Sequence, residues 1–251
     1  MTAPFEASSR YYDLLYQEKD SAAEAAYVDA LLQRHGISGQ ELLEFGSGTG
    51  RHGSLLAQRG YRVHGLERSA AMVSAAQQSP GFSCQQGDIT TTQLQRRFDA
   101  VLALFHVVSY QTTNPEVQAV FASAAYHLKP GGLFLFDVWY SPAVAAQRPE
   151  LRVKRLLSQD LSITRIAEPT LHPNANRVDV HYTVIAQDLS SGTVQTFEET
   201  HPMRHFSLPE LDLLAEAGGF ECLCGEEWLT GDPPSTNTWG VCLVLRKTNV
   251  S

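Results

Sequence analysis

The stretch Glu41-Leu-Leu-Glu-Phe-Gly-Ser-Gly-Thr-Gly50 constrains this chain more than any other. A short, largely apolar run passes straight into glycines at alternate positions. Such a run, bounded by glycine, reads as a buried strand. The loop behind it carries almost no side chains. Its backbone is therefore free to press against a ligand, and glycine tolerates the positive φ that such a turn demands. A helix should follow, with its first N–H groups aimed at the same place. The segment specifies a strand, loop and helix built around a nucleotide-like ligand.

The flanking sequence extends this pattern. Residues 21–34 are rich in Ala and Leu at helical spacing. After the strand Glu41 to Phe45, His52 to Gln58 suits a helix stopped by Gly60. Tyr61 to Leu66 reads as a second strand ending at Glu67. Ser69 caps a helix to Gln78, broken by Pro80-Gly81. Phe82 to Gln86, Phe98 to Phe105 and Leu133 to Val138 read as three more strands. A helix over Glu116 to Leu128 precedes the last of them and is closed by Lys129-Pro-Gly-Gly132. Strands alternating with helices imply parallel pairing, with strands buried on both faces. From 152 to 206 no helix is convincing. Leu161 to Ala167, Arg177 to Ala186 and Thr193 to Phe206 read as antiparallel strands. Ser207-Leu-Pro-Glu210 has the form of a capping box for a helix to Ala217, stopped by Gly218-Gly219. Phe220 to Leu229 and Trp239 to Arg246 complete the set.

With 251 residues, 43% hydrophobic and 18% charged, the chain has material for one large core and an insertion. The expected division is 1–150 with 207–251 as the ligand-binding domain, 1–38 of it forming a helical lid. Residues 151–206 form a β insertion over the substrate site. A net charge of −8 argues against a nucleic-acid partner. Arg96-Arg97 and Arg152 to Arg155 are short basic runs. No leader-like start and no apolar run near the roughly 20 residues of a membrane span are present. The expectation is a cytoplasmic protein, monomer or homodimer, without a membrane partner. Cys84, Cys222, Cys224 and Cys242 lack zinc-like spacing and read as packed thiols, with Cys222 and Cys224 on one strand face. No metal is expected.

Two glycine registers compete. Gly48-Thr-Gly50-Arg-His-Gly53 has dinucleotide spacing, but that motif starts directly after the strand. Here Gly46 occupies that place. In the register Gly46, Gly48 and Gly50, preceded by Glu44, the sequence resembles the class I S-adenosylmethionine-dependent methyltransferases. Glu67, Gly87-Asp88-Ile89, Phe98 to Phe105 and Leu128 to Phe136 stand in the order and spacing of that family's other motifs. The resemblance covers residues 40 to 140. It implies a Rossmann-like, seven-stranded, mostly parallel sheet with helices on both faces, plus the small antiparallel insertion. It also implies that Glu44, Gly46, Ser47, Gly48, Gly50, Glu67, Arg68 and Gly87 hold S-adenosyl-L-methionine. Glu67 would accept from the ribose hydroxyls, and Asp88 from the adenine amine. Met72, Ile89 and Leu104 would sandwich the ring, with Phe105 beside them. Tyr16, in Tyr11-Tyr-Asp-Leu-Leu-Tyr16, would meet the methyl-donor end, serving both cofactor binding and catalysis.

The acceptor belongs beyond strands four and five. Methyl transfer is an in-line displacement, helped by a base when the nucleophile is an ammonium or hydroxyl. His106, directly after strand four, is the candidate base, since imidazole titrates near neutrality. Tyr12, Tyr110, Trp139, Tyr140, His181 and His201 are candidate substrate residues, His201 sharing a strand face with Met203 and His205. The Asn/Asp-Pro-Pro-aromatic element of enzymes that methylate nucleic-acid bases is absent. The whole-chain layout resembles the nucleotide-linked amino-sugar N,N-dimethyltransferases, through Tyr12-Asp13, Tyr16, Tyr110, Trp139 and Val180-His-Tyr-Thr-Val184. It departs from them at Glu44, Phe105 and His106. Methylation of a sugar amine is the leading expectation. Methylation of another small metabolite, a nicotinamide oxidoreductase and a non-catalytic cofactor-binding regulator are the alternatives.

Overall fold

The computed structural model describes residues 11–15, 19–76 and 78–248, without the side chains of Tyr12 and Asp13. They group into two compact units. The larger comprises Asp20–Gln147 and His205 onward. Its strands are β1 (Glu41–Phe45), β2 (Arg62–Glu67), β3 (Phe82–Gln86), β4 (Phe98–Ala103), β5 (Leu128–Tyr140), β10 (Phe220–Glu227) and β11 (Gly240–Lys247). They form a sheet in the order β3-β2-β1-β4-β5-β11-β10. The first five run parallel, and β11 pairs antiparallel with both β5 and β10. This is the expected Rossmann-like class.

The sheet is buried on both faces because successive side chains on a strand point to opposite sides. Phe98, Val101 and Ala103 of β4 join a core with α5 (Asn114–His127) and α7 (Leu208–Ala217). Ala100, Leu102 and Leu104 join another with α2 (Ser21–Arg34) and α3 (Arg51–Gln58). β5 and β11 divide the same way, Phe134 and Phe136 against Leu133 and Leu135, Val241 and Leu243 against Cys242 and Val244.

Several boundaries differ from the sequence reading. β4 stops at Ala103, because Phe105 and His106 take φ of 65° and 62°. α4 (Ala70–Ala75) ends early where Ala76 turns extended, although Ser69 does accept from Met72 N at 3.3 Å. Lys129 to Gly132 open β5 rather than closing a loop. The expected box at Ser207 is not made by its side chain. The capping box forms instead at Thr113 and Glu116, at the start of α5. A bulge at Leu223 sets Cys222 opposite Leu245 and Cys224 opposite Val244. Neighbouring partners face opposite ways, so the two thiols do not share a face. All four cysteines are free. A helix at Ser141–Gln147, α6, had no counterpart in the sequence reading.

The smaller unit takes residues up to Lys19 together with Arg148–Arg204. Four strands, β6 (Arg152–Leu157), β7 (Leu161–His172), β8 (Arg177–Asp188) and β9 (Val194–Phe206), pair antiparallel in sequence order. β6 went unread because its Arg152-Val-Lys-Arg155 start looks like a solvated charge run. One face carries Leu156, Ile163, Val184 and Ala186, packed with Tyr11 and Leu15 of the N-terminal turn. The last two residues of β9, His205 and Phe206, belong to the larger unit and pair with Trp139 and Tyr140.

Candidate active site

Behind β1 the backbone turns through Gly46 (φ 64°) and Gly48 (φ 54°) into α3. A Cβ on Gly46 would stand 2.6 Å from Val107 Cγ2, so the loop and the turn after β4 touch backbone to side chain. A Cβ on Gly48 would meet nothing within 4 Å. Gly48 therefore marks the open side of the loop. Gly53, the residue that gave the dinucleotide spacing, has another cause. Its missing Cβ makes room for the Phe82 ring, 2.4 Å from where that atom would sit, as does that of Gly50 at 2.3 Å. Ser47 turns its side chain inward, where Gly65 leaves space for it. Only its backbone faces the loop.

Glu67, at the end of β2, holds this loop. Its Oε2 accepts from Gly48 N at 3.0 Å and its Oε1 from Ser69 N at 2.8 Å. A carboxylate offers about four acceptor positions, so each oxygen keeps capacity for another donor. Asp88 Oδ1 accepts from Thr90 N at 2.8 Å and from the Thr90 hydroxyl at 2.5 Å, which closes a tight turn. Gly87 is needed there, since a Cβ would lie 2.5 Å from Leu66 Cδ1 and 2.8 Å from Thr92 Oγ1.

Glu44 is fully buried on β1, and its Oε2 has no hydrogen-bond partner. Burial lifts its pKa to about 7, against the opposing pull of His52 and the Gly53 N–H. His52 itself pairs with the buried Glu24 at 2.7 Å, and Trp228 Nε1 reaches Glu24 at 3.4 Å. Glu24 and His52 were missed in the sequence because a lone helix Glu and a lone helix His carry no pattern.

The remaining expected cofactor residues are only partly assembled. Met72 and Ile89 are buried. Leu104 is buried too, but it packs in the core against α2 and α3, while Ile89 packs in the core against α5. Leu104 and Ile89 thus pack on opposite faces of the sheet. Arg68 is exposed, and its carbonyl accepts from Gln86. Tyr16 and the Tyr12 side chain lie outside the described residues.

Beyond β4 the left-handed pair Phe105 and His106 reverses the chain. Such φ values cost side-chain-bearing residues about 1–3 kcal/mol each and persist where surrounding structure enforces them. Here the enforcing partner is Asp137 of β5. Its Oδ2 lies 2.6 Å from His106 Nδ1 and 3.1 Å from His106 N. The His106 ring faces Trp139 edge-on at 6.2 Å, and Trp139 meets Trp239 edge-on at 5.8 Å. Tyr140 N donates to Trp239 O, and Trp139 N donates to Ser109 Oγ, which knits β5, β11 and the turn carrying Tyr110 together. Trp239 and Asp137 were both missed. The signal for Asp137 was its place in a strand otherwise apolar from Leu133 to Tyr140.

The two candidate histidines of the smaller unit do not meet. His181 lies opposite Thr200 and bonds it at 3.1 Å, whereas His201 lies opposite Val180. They point to opposite faces of that sheet. His201 is buried against Tyr182, 5.0 Å away edge-on, and 3.3 Å from Glu199, so it does not face solvent. His205 is also buried and bonds Ser141 at 2.7 Å. Among the described residues no group of three His, Cys, Asp or Glu is placed to hold a metal. No described helix is long and apolar enough to cross a membrane.

Residues 42–132 match the family model described as a methyltransferase domain. The chain is 31% identical over 225 residues to the dTDP-3-amino-3,4,6-trideoxy-alpha-D-glucopyranose N,N-dimethyltransferase of Streptomyces venezuelae, covering 88% of this chain and 92% of that one. It is 30% identical over 231 residues to the dTDP-3-amino-3,6-dideoxy-alpha-D-glucopyranose N,N-dimethyltransferase of Streptomyces fradiae, covering 88% and 85%. The solved structure of an S-adenosylmethionine-bound amino pentose methyltransferase from Micromonospora echinaspora superposes with a TM-score of 0.76, at 26% identity and 99% coverage of both chains.

The chain belongs to the class I S-adenosylmethionine-dependent methyltransferases. Within them it is similar to nucleotide-linked amino-sugar N,N-dimethyltransferases. The loop fits the cofactor that this family uses. Gly48 leaves an open approach, the Glu67 oxygens keep acceptor capacity for a diol, and Glu44 holds an unpartnered buried oxygen below.

Proposed function

We propose that this protein methylates the amino group of a sugar carried on a nucleoside diphosphate. The observation that carries the reading is the near-full-length similarity to two enzymes named for that reaction. Bound S-adenosylmethionine supplies the methyl group. The chain's own residues then have separate tasks. The backbone at Gly46, Ser47, Gly48 and Gly50 receives the cofactor's amino-acid end above Glu44. Glu67 accepts from the ribose hydroxyls. Asp88, Ile89 and Met72 line the adenine side, and Phe105 closes the loop beside it. Trp139, Tyr140, Tyr110 and Trp239 form the wall of the acceptor site. His106 takes the proton that an acceptor ammonium must lose before its nitrogen can attack.

Holding the nucleophile about 3 Å from the methyl, in line with the breaking bond, accounts for most of the rate in such a displacement. The aromatic wall suits this task, because a cationic amine is attracted to indole faces. Incubation with methyl-labelled S-adenosylmethionine and a panel of dTDP-linked 3- and 4-amino sugars tests the proposal. Label should appear on the sugar nitrogen. Transfer to none of the amines would end this reading. Transfer to a hydroxyl of another metabolite would replace it.

A further inference from the structure

We infer that His127 is a positioning residue for the adenine side of the cofactor site. It holds from behind the turn that carries Asp88 and Ile89, and does so only as a neutral imidazole. The inference deepens the proposed function and rests on its assignment of Asp88 and Ile89 to the adenine. His127 ends α5 and is fully buried. Its Nε2 lies 3.0 Å from the backbone N of Leu94, and its Nδ1 lies 2.7 Å from the carbonyl oxygen of Ser123. A peptide N–H only donates, so Nε2 must offer a lone pair. A carbonyl only accepts, so Nδ1 must carry the hydrogen. The Ser123 hydroxyl, 3.5 Å from Nδ1, rotates to suit. The two backbone groups therefore leave the ring one state, neutral with its hydrogen on Nδ1. A protonated ring would set a second N–H against that of Leu94.

Leu94 lies in the segment between β3 and β4 that opens with the adenine-side turn. Its side chain and that of Ile89 are buried in the same core. Two residues before Leu94, Thr92 closes that turn. Asp88 N donates to Thr92 Oγ1 at 2.9 Å, and Thr92 N donates to Asp88 O at 2.8 Å. Gly87 packs so near the same hydroxyl that a Cβ would stand 2.8 Å from it. Contacts thus run without a break from His127 through Leu94 and Thr92 to Gly87 and Asp88. Release of the Leu94 amide would leave a buried N–H unpaired, a cost that movement of the segment relieves. That movement carries Thr92, and with it the turn.

The surroundings favour the neutral ring. Burial lowers the pKa of His127 below its ordinary 6.5, and the Arg97 charge lowers it further, against the opposing pull of the Ser123 carbonyl. The Arg97 guanidinium lies 4.2 Å from the centre of the Tyr126 ring, which meets His127 edge-on at 4.9 Å. Lys247 of β11 donates to the carbonyls of Ala125 and Leu128, on either side of His127 in sequence. From β1 the neighbour is the uncharged ring of Phe45, edge-on at 6.1 Å. The pinned turn belongs to the neutral form. This share of the affinity for S-adenosylmethionine is therefore present above the ordinary imidazole range and is lost as acid charges His127.

The test joins calorimetry to spectroscopy. S-Adenosylmethionine is titrated into wild type, His127→Gln and His127→Leu from about pH 8 down to about pH 5.5, a range in which imidazole titrates. Gln sets an oxygen that cannot titrate where Nε2 stands, whereas Leu leaves the Leu94 amide without an acceptor. Glu44, with a pKa of about 7, titrates in all three proteins, so each variant is read against wild type at the same pH. His127→Gln should match wild type at the alkaline end and bind about two- to tenfold more tightly than wild type at the acid end, the worth of one hydrogen bond. His127→Leu should bind more weakly than wild type at the alkaline end by a similar factor. Parallel profiles for wild type and His127→Gln would make His127 merely structural. Nitrogen-15 NMR of histidine-labelled wild type, with the His127 signals assigned from His127→Gln, decides the matter even if His127→Leu does not fold. It should show the Nδ1–H tautomer, and S-adenosylmethionine should lower the pKa of His127, because coupling between two sites is reciprocal. A titration that the cofactor leaves unmoved overturns the inference. Wild-type affinity in Asp88→Ala would remove the adenine assignment and this inference with it, while leaving amine methylation intact. None of these measurements uses an acceptor, so the result stands even if no amino sugar is turned over.

Discussion

Gly48 donates its backbone N–H to Oε2 of Glu67 at 3.0 Å, tying the loop after β1 to the tip of β2. The residue that should grip the cofactor's ribose is thereby also the residue that shapes the cofactor's loop. Glu67→Ala loses both. A hydrogen bond to a charged group is worth about 1.5–3 kcal/mol, and about 1.4 kcal/mol is tenfold. Calorimetric titration should show S-adenosylmethionine affinity falling by about ten- to hundredfold, and Glu67→Gln should fall between wild type and Ala.

Gly46 and Gly48 should respond differently to the same change. Gly48→Ala meets open space and suffers only its left-handed φ, about 1–2 kcal/mol. Gly46→Ala adds the overlap with Val107, about 1–3 kcal/mol more. Urea unfolding should therefore show Gly46→Ala as the less stable variant. Gly48→Ala should keep most of its stability while losing most of the ligand-induced thermal shift, because the new methyl stands where the ligand approaches.

Glu44 gives the fold a pH dependence. Burial raises its pKa from the ordinary 4.5 to about 7. The folded chain therefore holds this proton over a range where the unfolded chain has released it. The resulting stability is fully present below pH 4.5 and is lost as pH rises through about 7. Across that window the loss is on the order of 3 kcal/mol. Glu44→Gln cannot ionise, so its melting temperature relative to wild type should rise between pH 5 and pH 8. A constant difference would show that Glu44 does not titrate in this range.

The start of α5 is held by Thr113 and Glu116, whose side chains each accept from the other's backbone. Loss of such a cap costs about 1 kcal/mol. Thr113→Ala should lower the melting temperature by a few degrees, with kcat nearly unchanged. Glu116 is held below the ordinary carboxylate range by the Thr113 hydroxyl and the Thr112 and Thr113 N–H groups, which outweigh the opposing effect of its burial. Its share of this stability is present above the unfolded carboxylate pKa and is lost on acidification through the lowered one.

Trp239, immediately before β11 and part of the proposed acceptor wall, is braced by Trp139 and by its Nε1–H donated to Gln147 at 2.9 Å. Trp239→Ala should raise KM for an amino sugar more than it lowers kcat, with cofactor affinity retained. Steady-state kinetics against each substrate separates these outcomes.

Local signals carried much of this protein. Glu41 to Phe45 and Phe82 to Gln86 were read to the residue, because glycine and apolar runs are short-range punctuation. Parallel pairing followed from alternation with helices, and the cofactor register followed from Gly46 standing first after β1. Tertiary structure decided what depends on partners distant in sequence. Gly53 proved to be a seat for Phe82, 29 residues on. Leu104 and Ile89 fell on opposite faces of the sheet. His181 and His201 were parted by the register of β8 and β9. Asp137, silent within an apolar strand, met His106 only because β4 and β5 lie side by side and a left-handed turn swings the imidazole across. The sequence determined most of the elements and the cofactor loop, since those rest on propensity and spacing. Which side chains share one site rests on pairing register and packing, and no local pattern encodes these.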